Sequence, residues 1–194
     1  MKLELIIRSN SSDIDFALLK DGKLIEFNNE TNNNNFSVGD IFLAKTGKIL
    51  SGLNASFVNV GYPKDGFLHY HDLGPHIQSL NKLIKNVSTG KYKDYTLKNF
   101  QFEKEIDKNG SIDQVLKTKQ NVLVQVVKEP ISTKGPRISS ELSIAGRFLV
   151  LVPFSKRVSV SQKIADNKEK DRLKRLAKSI RPPGFGIILR TVAE

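Results

Sequence analysis

Short apolar runs separated by glycine and other turn residues set the pattern of this chain. Leu3 to Ile7 predicts a β-strand. Ile14 to Lys20 and Lys23 to Phe27 flank Asp21-Gly22, the dipeptide signal of a tight hairpin. The next eight residues, Asn28 to Asn35, are polar and asparagine-rich, so they have nothing to bury. They predict a linker and a domain boundary near Phe36. From Val38 the pattern is β again, with strands expected at Ile41 to Thr46, Lys48 to Leu50, Ala55 to Val60 and Gly66 to His69. Gly39, Gly47, Gly52, Gly61 and Gly66 punctuate them. Val122 to Val127 and Arg137 to Ile144 would close a small five-stranded barrel.

An interruption separates those two groups of strands. Within Pro75 to Val87, residues Ile77, Leu80, Leu83 and Ile84 recur at helical spacing. Ser88 to Gly110 is lysine-rich and irregular but holds Tyr92, Tyr95, Phe100 and Phe102. Those rings either anchor the insertion to the domain, the commoner use of such residues, or form a second base-stacking surface. The last third opens with the apolar strand Phe148 to Val152. Asp166 with Glu169 three residues on then predicts a helix start close to a capping box. Leu173, Leu176, Ala177 and Ile180 are its expected buried stripe, and Pro182-Pro183-Gly184 stops it. Gly186 to Leu189 is a final strand leading to Arg190 and Thr191. The fold class is therefore mainly β (α+β): a hairpin segment over 1–35, a barrel domain over 36–145 with an insertion at 74–110, and a final α/β segment over 146–194.

Charge adds a partner class. The 194 residues carry a net charge of +11, which favours a polyanion: RNA, DNA or an anionic membrane. From Lys156 to Arg181 ten basic residues face three acidic ones. With 39% apolar residues the chain is globular. It has no cysteine, which excludes disulfides and thiolate metal sites and fits a cytoplasmic setting. No apolar run approaches the roughly 20 residues of a membrane span. The three histidines, His69, His71 and His76, lack the neighbours of a metal site, so no metal is expected in these residues.

Chemistry concentrates where rings meet base. Phe57 and Phe67 lie on neighbouring predicted strands, and His69 shares a face with Phe67. Such rings are either core or a platform on which the bases of a single strand stack, with nearby cations for the phosphates. Residue types alone leave that choice open.

The segment Phe57-Val58-Asn59-Val60-Gly61, with Gly66-Phe67-Leu68-His69 and Leu73, resembles the RNA-binding OB domain of the ribosomal protein S-one type. That resemblance implies that Phe57, Phe67 and His69 line an RNA face, with Lys134 and Arg137 in the last loop and strand meeting phosphates. The flanks Ser143-Ile144-Ala145-Gly146-Arg147-Phe148-Leu149-Val150-Leu151 and Gly186-Ile187-Ile188-Leu189-Arg190-Thr191 are more specific. Together they resemble the N-terminal part of the ribonuclease E/G family of endoribonucleases, over nearly the whole chain except 74–110 and the asparagine run.

The resemblance implies an OB domain followed by a sensor for the 5′-monophosphate of RNA. Arg190 and Thr191 would hold the phosphate, and Gly146 and Val150 would line the pocket. Gln162 stands where relatives commonly have arginine, and Lys163 or Lys156 is the expected compensation. The family cuts RNA with magnesium held by aspartates of a later domain, in RNA decay or ribosomal RNA processing, and some of its full-length members pair subunits. This chain stops at Glu194, so it is expected to bind RNA without cutting it and to need no cofactor of its own. Leu3 to Phe27 would belong to a ribonuclease-H-like subdomain completed elsewhere. Two other readings stay open: a stand-alone OB-fold RNA-binding adaptor, and a module whose Phe57 face binds a protein.

Overall fold

The computed structural model describes residues 2–11, 13–31, 36–94, 96–130 and 134–194. They form two compact units, Met1–Ser37 and Val38–Glu194. Strands β1 (Leu3–Ser9), β2 (Asp13–Lys20) and β3 (Lys23–Thr31) make the first, an antiparallel sheet in the order β1-β2-β3. Asp21 and Gly22 close the β2–β3 turn, both at positive φ (48° and 77°), the requirement of a two-residue turn whose twist suits its strands. The expected hairpin thus supplies two strands of a three-stranded sheet. The expected linker is shorter than its composition suggests. Asn28 and Asn29 pair with Phe16 and Asp15 in the ladder, and the Asn29 side chain donates to the Asp15 carboxylate at 2.6 Å. Residues 32–35 of the expected linker lie outside the described residues.

The second unit is built on a closed barrel of β4 (Ile41–Leu50), β5 (Ala55–Asn59), β6 (Gly66–His69), β7 (Asn121–Lys128) and β8 (Arg137–Ser139), in the order β4-β5-β6-β8-β7. The two strands expected at 41–46 and 48–50 are one. β4 pairs with β7 through Lys45 and with β5 from Lys45 onward, and its register shifts between Thr46 and Ile49. That bulge bends the strand round the barrel corner. Alternation along the strands sends Ala44, Val58, Leu68, Val122, Val124 and Ile138 inward, all buried. Gly66 allows the close packing, since a Cβ there would come within 2.9 Å of Ile138. β8 closes the barrel parallel to β6, with Phe67 N donating to Pro136 O at 3.1 Å. It spans only Arg137–Ser139, not the expected 137–144: Ile144 belongs to the next sheet.

Helix α1 (Ile77–Ser88) follows β6, and the short α2 (Ile112–Val115) precedes β7. The rings of the insertion serve as an anchor. Phe100 stacks edge-on against Tyr92 at 5.6 Å and contacts Phe102 and the buried Phe154, each at 5.8 Å between centroids. Tyr95 lies outside the described residues.

The last part is a four-stranded sheet, β11-β12-β10-β9, made of β9 (Ile144–Ala145), β10 (Leu149–Pro153), β11 (Val158–Val160) and β12 (Phe185–Leu189), with α3 (Asn167–Ile180) between β11 and β12. Ile164, Leu173, Ala177, Ile187 and Leu189 form its core. Asp166 caps α3, accepting from Lys168 N at 2.9 Å. Glu169 does not complete the capping box, because its carboxylate binds Arg172. The expected stripe is also narrower: Leu173 and Ala177 are buried, whereas Leu176 is 50% and Ile180 57% exposed. A helix of this length laid on two short strands covers them with one row of side chains, and the next row faces outward.

Candidate nucleic-acid interface

The barrel's outer face carries the side chains that alternate with its core. On β5 and β6 these are Phe57, Asn59, Phe67 and His69. Phe57 and Phe67 are directly paired across the ladder, with ring centroids 6.1 Å apart at 69°. Phe57 is 37% exposed and Phe67 half-buried. Neither is core, so the face offers two ring surfaces to solvent. An open groove of about 610 Å³ runs beside them, lined also by Lys64, Asp65, Lys134 and Arg137. Gly135 makes its wall possible, because a Cβ there would meet Asp65 O at 2.1 Å.

The sequence-predicted cations are not equivalent. Lys134 is exposed. Arg137 turns its guanidinium to Asp72, with three contacts of 3.1–3.3 Å to the two carboxylate oxygens. Asp72 also holds β8 through its carbonyl, which accepts from Ser139 Oγ and Ser140 N, each at 2.8 Å. Arg137 therefore braces the groove and lends it charge already partly neutralised. His69 accepts from His71 N through Nδ1 at 3.2 Å, and the two rings lie 5.0 Å apart. Its ring is held by the following turn, on the Phe67 side of β6.

Two further cations adjoin this face. Lys45 sits opposite Asn59 across the ladder and exposed on the same face. Lys64 reaches the groove from the β5–β6 turn. Lys64 was legible as a loop cation beside Phe67. Lys45 was not, because only the pairing of β4 with β5 brings it there.

A second set of residues meets at one end of the C-terminal sheet. β11 and β12 run parallel and β10 antiparallel to both. The ends of β11 and β12 and the start of β10 therefore come together. Ser161 N donates to Leu189 O at 2.9 Å and Arg190 N to Phe148 O at 2.8 Å. This places Gln162 and Lys163 beside Arg190 and Thr191, and Gly146 across from them. Arg190 Nη1 donates to Gly146 O at 3.0 Å, which holds the guanidinium over the β9–β10 turn and leaves its other N–H groups outward. Val150 pairs with Ile188, so the two share the sheet face away from α3, as does Arg190 two residues on. Gly146, Gln162, Lys163, Arg190 and Thr191 are exposed and Val150 half-buried. Arg147 joins them, its guanidinium 5.3 Å from the Phe148 ring; it lay unused inside the Gly146 to Val150 stretch. Guanidinium, ammonium and hydroxyl donors at one sheet end are residue types that suit a terminal phosphate.

Magnesium would need several oxygen ligands brought to one point. Among the described residues no three His, Asp or Glu side chains gather at one point. No helix among them is long and apolar enough to cross a membrane.

A closed five-stranded barrel in this order, with one strand face left open and charged, belongs to the OB-like class, whose strand face and loops take oligonucleotides and oligosaccharides. The sequence pattern of the Ribonuclease E/G family matches residues 143–194. Ribonuclease E of Synechocystis sp. is 38% identical over 158 residues, 81% of this chain and 19% of its own length. A Ribonuclease E/G-like protein of Porphyra purpurea is 36% identical over 162 residues, 83% of this chain and 26% of its own. Ribonuclease G of Escherichia coli (strain K12) is 30% identical over all 194 residues, 36% of its own length. The chain belongs to the ribonuclease E/G family. It spans between about a fifth and about a third of these relatives.

Proposed function

We propose that this chain is the RNA-binding and end-sensing part of a ribonuclease E/G-type endoribonuclease acting in RNA decay or ribosomal RNA processing. The observation that carries the proposal is the joint presence, in one compact unit, of a two-ring barrel face and a separate cluster of phosphate donors. In this reading Phe57 and Phe67 stack bases of a single strand, while Lys64 and Lys134 meet its backbone. His69 flanks the stack and Arg137 braces it. Arg190 and Thr191 hold a 5′-monophosphate, with Gly146 and Val150 shaping the site and Lys163 supplying charge where Gln162 brings none.

Cleavage belongs to the whole enzyme, with magnesium bound outside these residues. The experiment is binding of a short single-stranded RNA bearing a 5′-monophosphate or a 5′-hydroxyl. Tighter binding of the phosphorylated strand that disappears in Arg190→Ala supports end sensing. Equal binding by both variants and both ends leaves an OB-fold RNA binder alone. No RNA binding at any salt would favour a protein partner for the Phe57 face.

A further inference from the structure

We infer that the 74–110 insertion adds a second RNA-contacting surface, a groove along α1 that receives the backbone of a strand leaving the barrel face. The inference rests on the proposed RNA binding by that face. Helix α1 has an apolar side (Ile77, Leu80 and Ile84, all buried) and a polar side built differently from most solvated helix faces. Gln78, Asn81, Lys82 and Lys85 follow the spacing of a single helical stripe, and Ile77–Ser88 contains no acidic residue. The stripe lines an open groove of about 680 Å³ whose other wall includes Lys91, Gln120 and Asn121. Glu103, the one acid there, is matched by Lys82 at 2.6 Å. Lys85 and Lys91 remain as exposed cations among amides. Amides both donate and accept, so they serve phosphate oxygens, ribose hydroxyls and base edges alike. Asn81 already has a buried Oδ1 without a partner, and a turn of the amide would offer it to a hydroxyl in the groove.

Strand register links this groove to the rings. Asn59 pairs with Lys45, and Lys45 pairs with Asn121. All three are exposed and form one row across β5, β4 and β7, two strand spacings or roughly 10 Å wide. Asn59 lies two residues from Phe57 on the same face, and Asn121 is the groove's edge. A polar, basic row, Asn59-Lys45-Asn121, therefore runs from beside the stacking rings to the groove along α1. An acidic protein segment would find the same charge, but it would gain nothing from continuity with an aromatic platform. That continuity favours a nucleic-acid strand.

The test compares two 5′-hydroxyl RNAs of about 6 and about 16 nucleotides, one near each end of the roughly 4–16 nucleotides that OB barrels take. A 5′-hydroxyl keeps the Arg190 cluster out of the measurement. The variant Lys85→Ala/Lys91→Ala alters two exposed side chains and should fold normally. It should weaken the longer strand roughly tenfold and lower its log-affinity against log-salt slope by about 1.4, the loss of two backbone contacts. Binding of the shorter strand should not change. Unchanged affinity and slope for the longer strand would overturn the inference and leave the groove to an acidic protein partner. Phe57→Ala reports separately on the barrel: no effect on the shorter strand would overturn the proposed function, whatever the groove does.

Discussion

The barrel face and the end of the C-terminal sheet offer a ligand different things. The barrel presents two rings at 6.1 Å, a groove lined by the exposed Lys64 and Lys134, and an arginine already bound to Asp72. The sheet end presents no ring pair. Its strand ends carry Arg147, Lys163, Arg190 and Thr191, all exposed, with the Arg190 guanidinium held by the Gly146 carbonyl. Flat apolar surface suits any base and is indifferent to chain ends. Convergent charge suits one doubly charged group and is indifferent to sequence. A chain holding both would recognise where a strand begins while tolerating what it says.

The largest effect is expected in the scaffold behind the sheet end. Leu173 anchors α3 behind the sheet and is buried. Leu173→Ala should cost about 2–5 kcal/mol of stability, read by urea unfolding, and should blunt any preference for a 5′-phosphate more than it weakens stacking. Equal loss of both would mean that the two regions are not separable. Arg190→Ala comes next. It should remove a charge-assisted contact of about 1.5–3 kcal/mol from phosphorylated strands only. Arg190→Lys should restore part of it, since charge returns without the fork. Phe57→Ala should weaken single-stranded RNA by about 1–3 kcal/mol whatever its 5′ end, measured by fluorescence anisotropy. A loss confined to phosphorylated strands would reverse the assignment of roles.

A smaller effect is expected at Gln162. Gln162→Arg adds an exposed cation beside Arg190 and should strengthen binding of the phosphorylated end by up to about 1 kcal/mol, in low salt above all. The smallest concerns Glu169, whose carboxyl is held below the usual range by its hydrogen bonds and charge pairing with Arg172. A lowered carboxyl contributes stability at neutral pH and loses it as pH falls through the folded value. The pair is exposed, so Glu169→Gln should leave neutral stability nearly unchanged and flatten only the acid limb of a pH–stability curve.

Much of the framework could be read from residue order. Asp21-Gly22 marked its turn, β5 and β6 were placed within a residue, and Asp166 capped its helix. The sites divide differently. Phe57, Phe67, Arg190 and Thr191 stood out through motifs carried in single stretches. What stayed hidden depends on pairing between distant stretches. β4 continues through Gly47 because β5 and β7 both claim it. Ile144 leaves the barrel for β10. Arg137 is drawn to Asp72, 65 residues away in sequence. Lys45 and Asn121 become neighbours only in the ladder. Leu176 and Ile180 keep helical periodicity yet have no strand beneath them. Local pattern specifies which elements form, and the partner chosen by each element decides which of its side chains a ligand meets.

The N-terminal sheet makes the same point in reverse. Leu5, Ile7, Leu24 and Phe27 are each more than half exposed, so its strands are satisfied along the ladder but not on their faces. Hydrogen exchange should therefore be faster in Leu3–Thr31 than in β4–β8.

The most direct test of the central claim is the affinity of the chain for one short RNA sequence carrying a 5′-monophosphate or a 5′-hydroxyl, measured at two salt concentrations with Phe57→Ala and Arg190→Ala alongside. Tighter binding of the phosphorylated strand is expected, a preference lost in Arg190→Ala and kept, on a weaker baseline, in Phe57→Ala. A preference that survives Arg190→Ala and vanishes with Phe57→Ala would contradict it.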